Sequence, residues 1–321
     1  MAQGGEVLST VMGREEDIEF PKYQRGAFSV QKKPDYQVPM EYRSRLHYLE
    51  KVLNAVRYPT QKNNFSVDTS CDETYPGVTL FTTRYEYVNL YHTLTDWWSA
   101  YYVLPEDYLQ KPHRVVFMDG HAQGGLDDTW RVLFGDFHFI QHLPKGKGLC
   151  FEKAVFIPAG YKTPIFPDFE RDRCPRKEMT AAFSDFVLGQ YNLASIQPIR
   201  GNVVIIDRQP YVSHPRSDLS NFKRQSSNMD ALQASLQKIP GVKAQLVRLE
   251  LLSFGEQLKL IREAHVLIGL HGAALSHLMF MDRSRSHVVE FTVDANDFFE
   301  YLSEWKGINH EMIDVDPLFT I

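Results

Sequence analysis

The segment Val266-Leu267-Ile268-Gly269-Leu270-His271-Gly272-Ala273-Ala274-Leu275-Ser276-His277 decides how this chain folds. Five uncharged residues read as a strand buried on both faces, and the small residues after them mark a tight turn into a helix. The same rhythm continues on either side. Upstream, strands are predicted over 203–206 and 244–249 and helices over 229–236 and 254–264, the second helix opened by Ser253 with Glu256 three residues on, a capping box. Downstream follow a short helix from Ala273, a strand over 287–291, a helix over 297–305 and a last strand over 311–315. Apolar strands separated by single helices require a parallel sheet covered on both faces, so this half is Rossmann-like.

The first half carries a looser version of the pattern. Strands are predicted over 79–83 and 114–118, helices over 90–103 and 126–134, then short strands through Ile157 and a helix ending near Tyr191. Residues 43–56 repeat Leu46, Leu49, Val52, Leu53 and Val56 at helical spacing, and residues 1–42 read as a poorly ordered lead-in. The Pro-containing stretch 194–201 is the expected boundary, which gives a lead-in of 1–42, an α/β domain of 43–195 and a Rossmann-like domain of 196–321. A length of 321 residues suits two cores better than one.

Composition narrows the function. With 43% apolar and 23% charged residues the chain is globular, and 35 Lys plus Arg against 40 Asp plus Glu leaves no excess of cations for nucleic acid. The apolar runs are too short to span a bilayer and the N-terminus lacks a basic, apolar-cored signal, so a soluble chain without a membrane segment is expected. Cys71, Cys150 and Cys174 lack C-x-x-C spacing, which excludes a zinc ribbon; one disulfide with a free thiol and three thiols both fit the count. Asn64-Phe65-Ser66 matches a glycosylation acceptor, a triplet common by chance.

Ligands of parallel sheets bind beyond the carboxyl ends of the strands. There stand His271, Gly272 and Ala273 after one strand, Asp207 and Arg208 after another, and Glu290 after Val288 and Val289. A small-residue turn for phosphate, an arginine and a carboxylate for ribose hydroxyls suit a nucleotide; tight packing and a surface ion pair are the plainer reading, and no G-x-G-x-x-G or P-loop accompanies them. Eight aromatic residues crowd residues 81–102. On the helix there, Leu90, Leu94, Trp97, Trp98 and Tyr101 form an apolar stripe and Asn89, His92, Thr93 and Asp96 a polar one. His92 and Asp96 are one turn apart, the spacing of an oriented general base, although an ordinary half-buried helix has the same pattern. Asp314-Val315-Asp316 matches the metal-holding D-x-D of some sugar transferases but ends the last strand, and no H-E-x-x-H or G-x-S-x-G occurs. Asp127-Asp128 reads as a helix start.

The run Thr83-Arg84-Tyr85-Glu86-Tyr87-Val88-Asn89-Leu90-Tyr91-His92-Thr93-Leu94-Thr95-Asp96-Trp97 closely resembles a segment of the plant-type N-glycan core β-1,2-xylosyltransferases of glycosyltransferase family 61, relatives of the EGF-domain-specific O-GlcNAc transferases. Val116-Phe117-Met118-Asp119-Gly120-His121, residues 126–134, Gly160-Tyr161, Ile268 to Leu275 and Ser303-Glu304-Trp305-Lys306-Gly307 are similar to that family too, the last leaning toward its xylosyl branch. The resemblance implies two Rossmann-like domains facing across a cleft, GT-B-like, and inverting transfer of xylose from UDP-xylose to the core mannose of an N-glycan. It implies a donor site of His271, Gly272, Ala273, Arg208 and Glu290, a base in Asp96 oriented by His92, and substrate contacts from Arg84 and Asn89. No cofactor and no metal are expected, since arginine and helix amides would meet the charge on UDP. The partners implied are a UDP-sugar and an N-glycan on glycoproteins, in the Golgi lumen, although the anchor usual in the family is absent and a truncated or soluble form is expected. Ala274 stands where relatives usually carry Gly, and Asp207 where they often carry Arg. Transfer of GlcNAc to protein, or an inactive glycan-binding relative, are the alternatives.

Overall fold

The structure, a computed structural model, describes residues 28–29, 55–57, 71–84, 86–109, 113–157, 160, 165, 176–208, 228–292 and 297–315. It divides into two compact units, Met1–Tyr87 with His92–Phe166, and Val88–Tyr91 with Pro167–Ile321. Each is built on a parallel sheet, as the α/β patterning requires.

In the first unit the strands β3 (Glu73–Thr82), β4 (Arg114–Phe117), β5 (Phe137–Phe139) and β6 (Leu149–Phe156) lie in the order β5-β4-β3-β6, all neighbours parallel. A short parallel pair, β1 (Phe28–Ser29) and β2 (Val56–Arg57), accompanies them. Thus part of the expected lead-in forms a strand, and Val56, the last residue of the helix expected over 43–56, is extended; the rest of both expectations, apart from Ala55, lies outside the described residues. Helices α1 (Leu90–Val103), α2 (Glu106–Leu109) and α3 (Asp127–Leu133) complete the unit, with Leu80, Phe81, Val115, Val116 and Phe117 at its core. β3 begins six residues earlier than expected, because Pro76-Gly77 sits within it: the register against β6 shifts between Tyr75 and Val78, and Gly77 takes a left-handed φ of 73°. The irregularity accommodates a residue with no N–H to give. A disulfide joins Cys71 to Cys150 at the entrances of β3 and β6; Cys174 lies outside the described residues.

The second unit arranges β7 (Asn202–Ile206), β8 (Lys243–Val247), β9 (Val266–Leu270), β10 (His287–Thr292) and β11 (Asn309–Asp314) as β11-β10-β9-β7-β8, again wholly parallel. The chain works outward from β7 to β8, then crosses to β9, so the switch point lies between β7 and β9. Helices α4 (Arg176–Gln190), α5 (Met229–Leu236), α6 (Phe254–Glu263) and α7 (Phe298–Lys306) cover the sheet, and the turn after β9 enters a 3₁₀ helix, Ala273–Phe280. The expected capping box forms: Glu256 accepts the Ser253 amide at 2.8 Å while the Ser253 hydroxyl accepts that of Glu256 at 3.4 Å.

The division falls before α4 and not at 195. Ser184 in α4 donates to the Met279 carbonyl at 2.7 Å, and Lys306 at the end of α7 donates to the Ser184 hydroxyl at 2.8 Å, which ties α4 to the second sheet's own elements. Among the described residues, no helix is long and apolar enough to cross a membrane.

Candidate active site

At the β7/β9 switch point, Arg208 follows the end of β7 and donates from Nη1 to the carbonyl oxygen of His271 at 2.9 Å. Gly272 has an extended φ of 163°, which any residue can adopt, so its lack of a side chain matters for another reason. A Cβ there would come within 2.1 Å of Arg208 Nη1. The glycine therefore lets the guanidinium lie against the turn that opens the 3₁₀ helix, whose first amides have no acceptor inside the helix. Arg208, His271, Gly272 and Ala273 are thus brought together at one strand edge.

Glu290 departs from expectation. Expected at the rim for ribose contact, it lies in the middle of β10 with no exposure. Register explains where it goes. Glu290 stands opposite Gly269, and Val288 opposite His310, so His271, Glu290 and His310 project from the same face of three adjacent strands. One carboxylate oxygen bonds His271 Nδ1, and the other accepts from His310 Nε2 at 2.8 Å. Burial opposes ionisation, but the hydrogen bonds from His271 and His310 outweigh it and hold the carboxyl below its usual range. A fully buried carboxylate cannot meet a ribose. A last strand starting at 311 leaves His310 outside the sheet; the observed start at 309 places it beside Glu290.

In the first unit Arg84 follows β3 and is 1% exposed. Its Nη2 and Nε bond Asp119 at 2.6 and 3.2 Å, its Nη1 bonds Asp127 at 2.6 Å, and the carbonyls of His121 and Ala122 take two further bonds. Burial disfavours this charge, yet Asp119 and Asp127 more than compensate and keep it protonated. The substrate contact expected of Arg84 is therefore revised: every guanidinium nitrogen is spent on holding the loops after β3 and β4. Asp127, expected only to favour a helix start, is half of that clamp. Asn89 accepts the Tyr91 amide at 3.0 Å, the bond of an N-cap, so a structural task occupies its carbonyl oxygen.

The expected polar stripe of α1 is not a solvent face, since Thr93 and Asp96 are each 1% exposed. Asp96 accepts the Gly160 amide at 2.6 Å. Residue 160 must be glycine, because a Cβ would meet the Thr95 and Asp96 backbone at 2.1 to 2.3 Å. His92 retains 15% side-chain exposure and sets Nε2 3.3 Å from the Glu86 carboxylate, an orienting partner that the sequence reading did not assign. Of the D-x-D, Asp314 ends β11 and Asp316 lies outside the described residues.

Two parallel-sheet units, one setting an arginine against a glycine turn at its switch point, define an α/β protein with Rossmann-like sheets. The chain belongs to the Glycosyltransferase 61 family, whose model matches residues 90–289. It is 30% identical to a β-1,2-xylosyltransferase of Oryza sativa subsp. japonica over 98% of its length and 65% of that protein's, and 28% identical to one of Arabidopsis thaliana over 97% and 70%. An EGF domain-specific O-linked N-acetylglucosamine transferase of Canis lupus familiaris is 28% identical over 67% of this chain and 40% of its own. The chain thus spans about two thirds of the xylosyltransferases it matches. The resemblance read from its motifs is borne out.

Proposed function

We propose that the chain is an inverting glycosyltransferase that moves xylose from UDP-xylose to the core mannose of N-glycans in a β-1,2 linkage. The observation that carries this is identity along nearly the whole chain to two proteins named β-1,2-xylosyltransferase. The second unit binds UDP: Arg208, already steered onto the turn by the His271 carbonyl, and the amides of Gly272 and Ala273 meet the diphosphate. The first unit holds the glycan, in a GT-B-like pairing of the two. The acceptor oxygen bonds to C1 of xylose as the bond from C1 to the β-phosphate oxygen breaks, UDP leaves with the electron pair, and configuration inverts. The hydroxyl proton passes to His92, whose ring is held by the Glu86 carboxylate, while buried Asp96 anchors residue 160. Charge on departing UDP is met without a metal. The Cys71–Cys150 disulfide suits an oxidising lumen such as the Golgi.

Mass-resolved transfer from a panel of UDP-sugars to a mannose-exposed N-glycan tests the reading. Xylose transfer supports it; transfer of GlcNAc to an EGF-type domain favours the second activity, which rests on the relatives of that name. Absence of any product beyond a heat-killed control leaves the inactive glycan binder.

A further inference from the structure

In the second unit the last turns of α6 and α7 carry Arg262 and Lys306, two cations that are only 6% and 8% exposed. We propose that these two side chains bind one halide ion, chloride in the cell, between the Arg262 Nε–H and the Lys306 ammonium. The inference goes beyond the sugar transfer proposed above and does not depend on it.

The end of the 3₁₀ helix gathers the two cations on consecutive carbonyls. Arg262 Nη1 donates to the Phe280 carbonyl at 3.3 Å, while Lys306 donates at 2.8 Å to the Ser184 hydroxyl, which itself donates to the Met279 carbonyl at 2.7 Å. Arg262 Nη2 donates to the Ile196 carbonyl at 2.7 Å. Such carbonyls, with the negative end of a helix dipole, explain why cations collect here. They do not use every donor. Arg262 Nε is buried without a partner, and an ammonium that makes one hydrogen bond has two N–H groups left. Nor do they supply a counter-charge. Among the described residues no carboxylate comes within ion-pair distance of either cation. Asp185 of α4 and Asp282 after the 3₁₀ helix act on both from farther off, and Arg262 and Arg283 oppose the charge on Lys306. Three cations against two carboxylates leave one positive charge unmatched. Burial, the largest cause, pushes Lys306 down to about 8 and lowers Arg262 as well, so both are still charged at neutral pH. Buried charge with donors to spare is stabilised by an acceptor of opposite sign. One surplus charge calls for a monovalent ion. Both Nη atoms of Arg262 are already committed to carbonyls, which breaks the parallel N–H fork that a carboxylate or phosphate takes and leaves single donors suited to a sphere.

Crystals of the full chain soaked in sodium bromide should show an anomalous peak between Arg262 Nε and Lys306 Nζ. In solution at pH 7, replacing gluconate, too large for a buried site, by chloride or bromide at constant ionic strength should raise the melting temperature by about 3 °C and then saturate. The rise should shrink at pH 10, where Lys306 has lost its proton. Lys306→Met leaves the Ser184 bond to Met279 in place and should fold without any halide effect. Water alone at the bromide position, or a melting temperature indifferent to the anion, overturns the inference. A halide effect of full size in Lys306→Met overturns it too. Where Lys306→Met does not fold, the bromide map and the wild-type anion and pH series decide.

Discussion

At the scale of single residues, the switch point of the second unit turns on a missing methyl. Adding a Cβ to Gly272 brings carbon to 2.1 Å from Arg208 Nη1, so the guanidinium must leave the His271 carbonyl, whereas the extended backbone at 272 is unaffected. Gly272→Ala should therefore weaken UDP about ten-fold, as Arg208→Ala should, and the double variant should be little worse than either, because both remove one interaction. Titration calorimetry of the three variants checks this; additive losses would separate the glycine from the arginine. On the first unit, His92→Gln should lower kcat by about a hundred-fold or more with UDP affinity kept, the span of a lost general base. Asp96→Asn should chiefly destabilise, since it weakens a charge-assisted bond to the Gly160 amide. Near-full turnover in His92→Gln would return the base to Asp96.

At the scale of elements, the helices and strands with local signals were legible and those shaped by distant partners were not. α6 carries its own start signal, so Ser253→Ala should cost about 1 kcal/mol in urea melts, with Glu256→Gln losing less because its side chain still accepts. α1 and α5 were read residue for residue from apolar spacing. The N-terminal half of β3 was hidden by Pro76-Gly77, a pair that reads as a turn and here marks a register shift against β6, a strand about 75 residues away in sequence. Glu290 illustrates the same limit in the site. Carboxylates near strand ends usually face water, and nothing local says that two histidines on neighbouring strands will enclose this one. Arg84 is similar: a lone arginine past a strand resembles a ligand contact until Asp119 and Asp127 close on it. The turn around Gly272 was legible because strand, small residues and helix follow one another in sequence.

At the scale of the whole molecule, each unit carries its own chemical weak point. In the first, the disulfide closes a loop with a sequence separation of 79 residues, which by chain-entropy reasoning adds roughly 4 kcal/mol. In the second, burial pushes the His277 imidazole down to about 4, against the opposing pull of the Ala274 carbonyl. An unfolded histidine titrates near 6.5. Between about 4 and 6.5 the unfolded chain binds the extra proton, so this contribution to stability is complete above about 6.5 and falls away as pH drops toward 4, by up to about 3 kcal/mol. Lys306, which burial pushes down to about 8, has the same sign in a higher window: its contribution rises between pH 8 and its ordinary value of 10.5. Hydrogen exchange read by mass spectrometry should separate the two weak points. Dithiothreitol at pH 7 should raise exchange first in β3 and β6 while the peptides of α6 and the 3₁₀ helix hold. Acidification from pH 6.5 to 4.5 without reductant should do the reverse, because His277 is bonded to Gln257 of α6 and sits in the 3₁₀ helix itself. A chain in which reduction loosened α6 as early as β6 would place the disulfide's effect outside the unit that contains it, and the assignment of each weakness to its own sheet would fail.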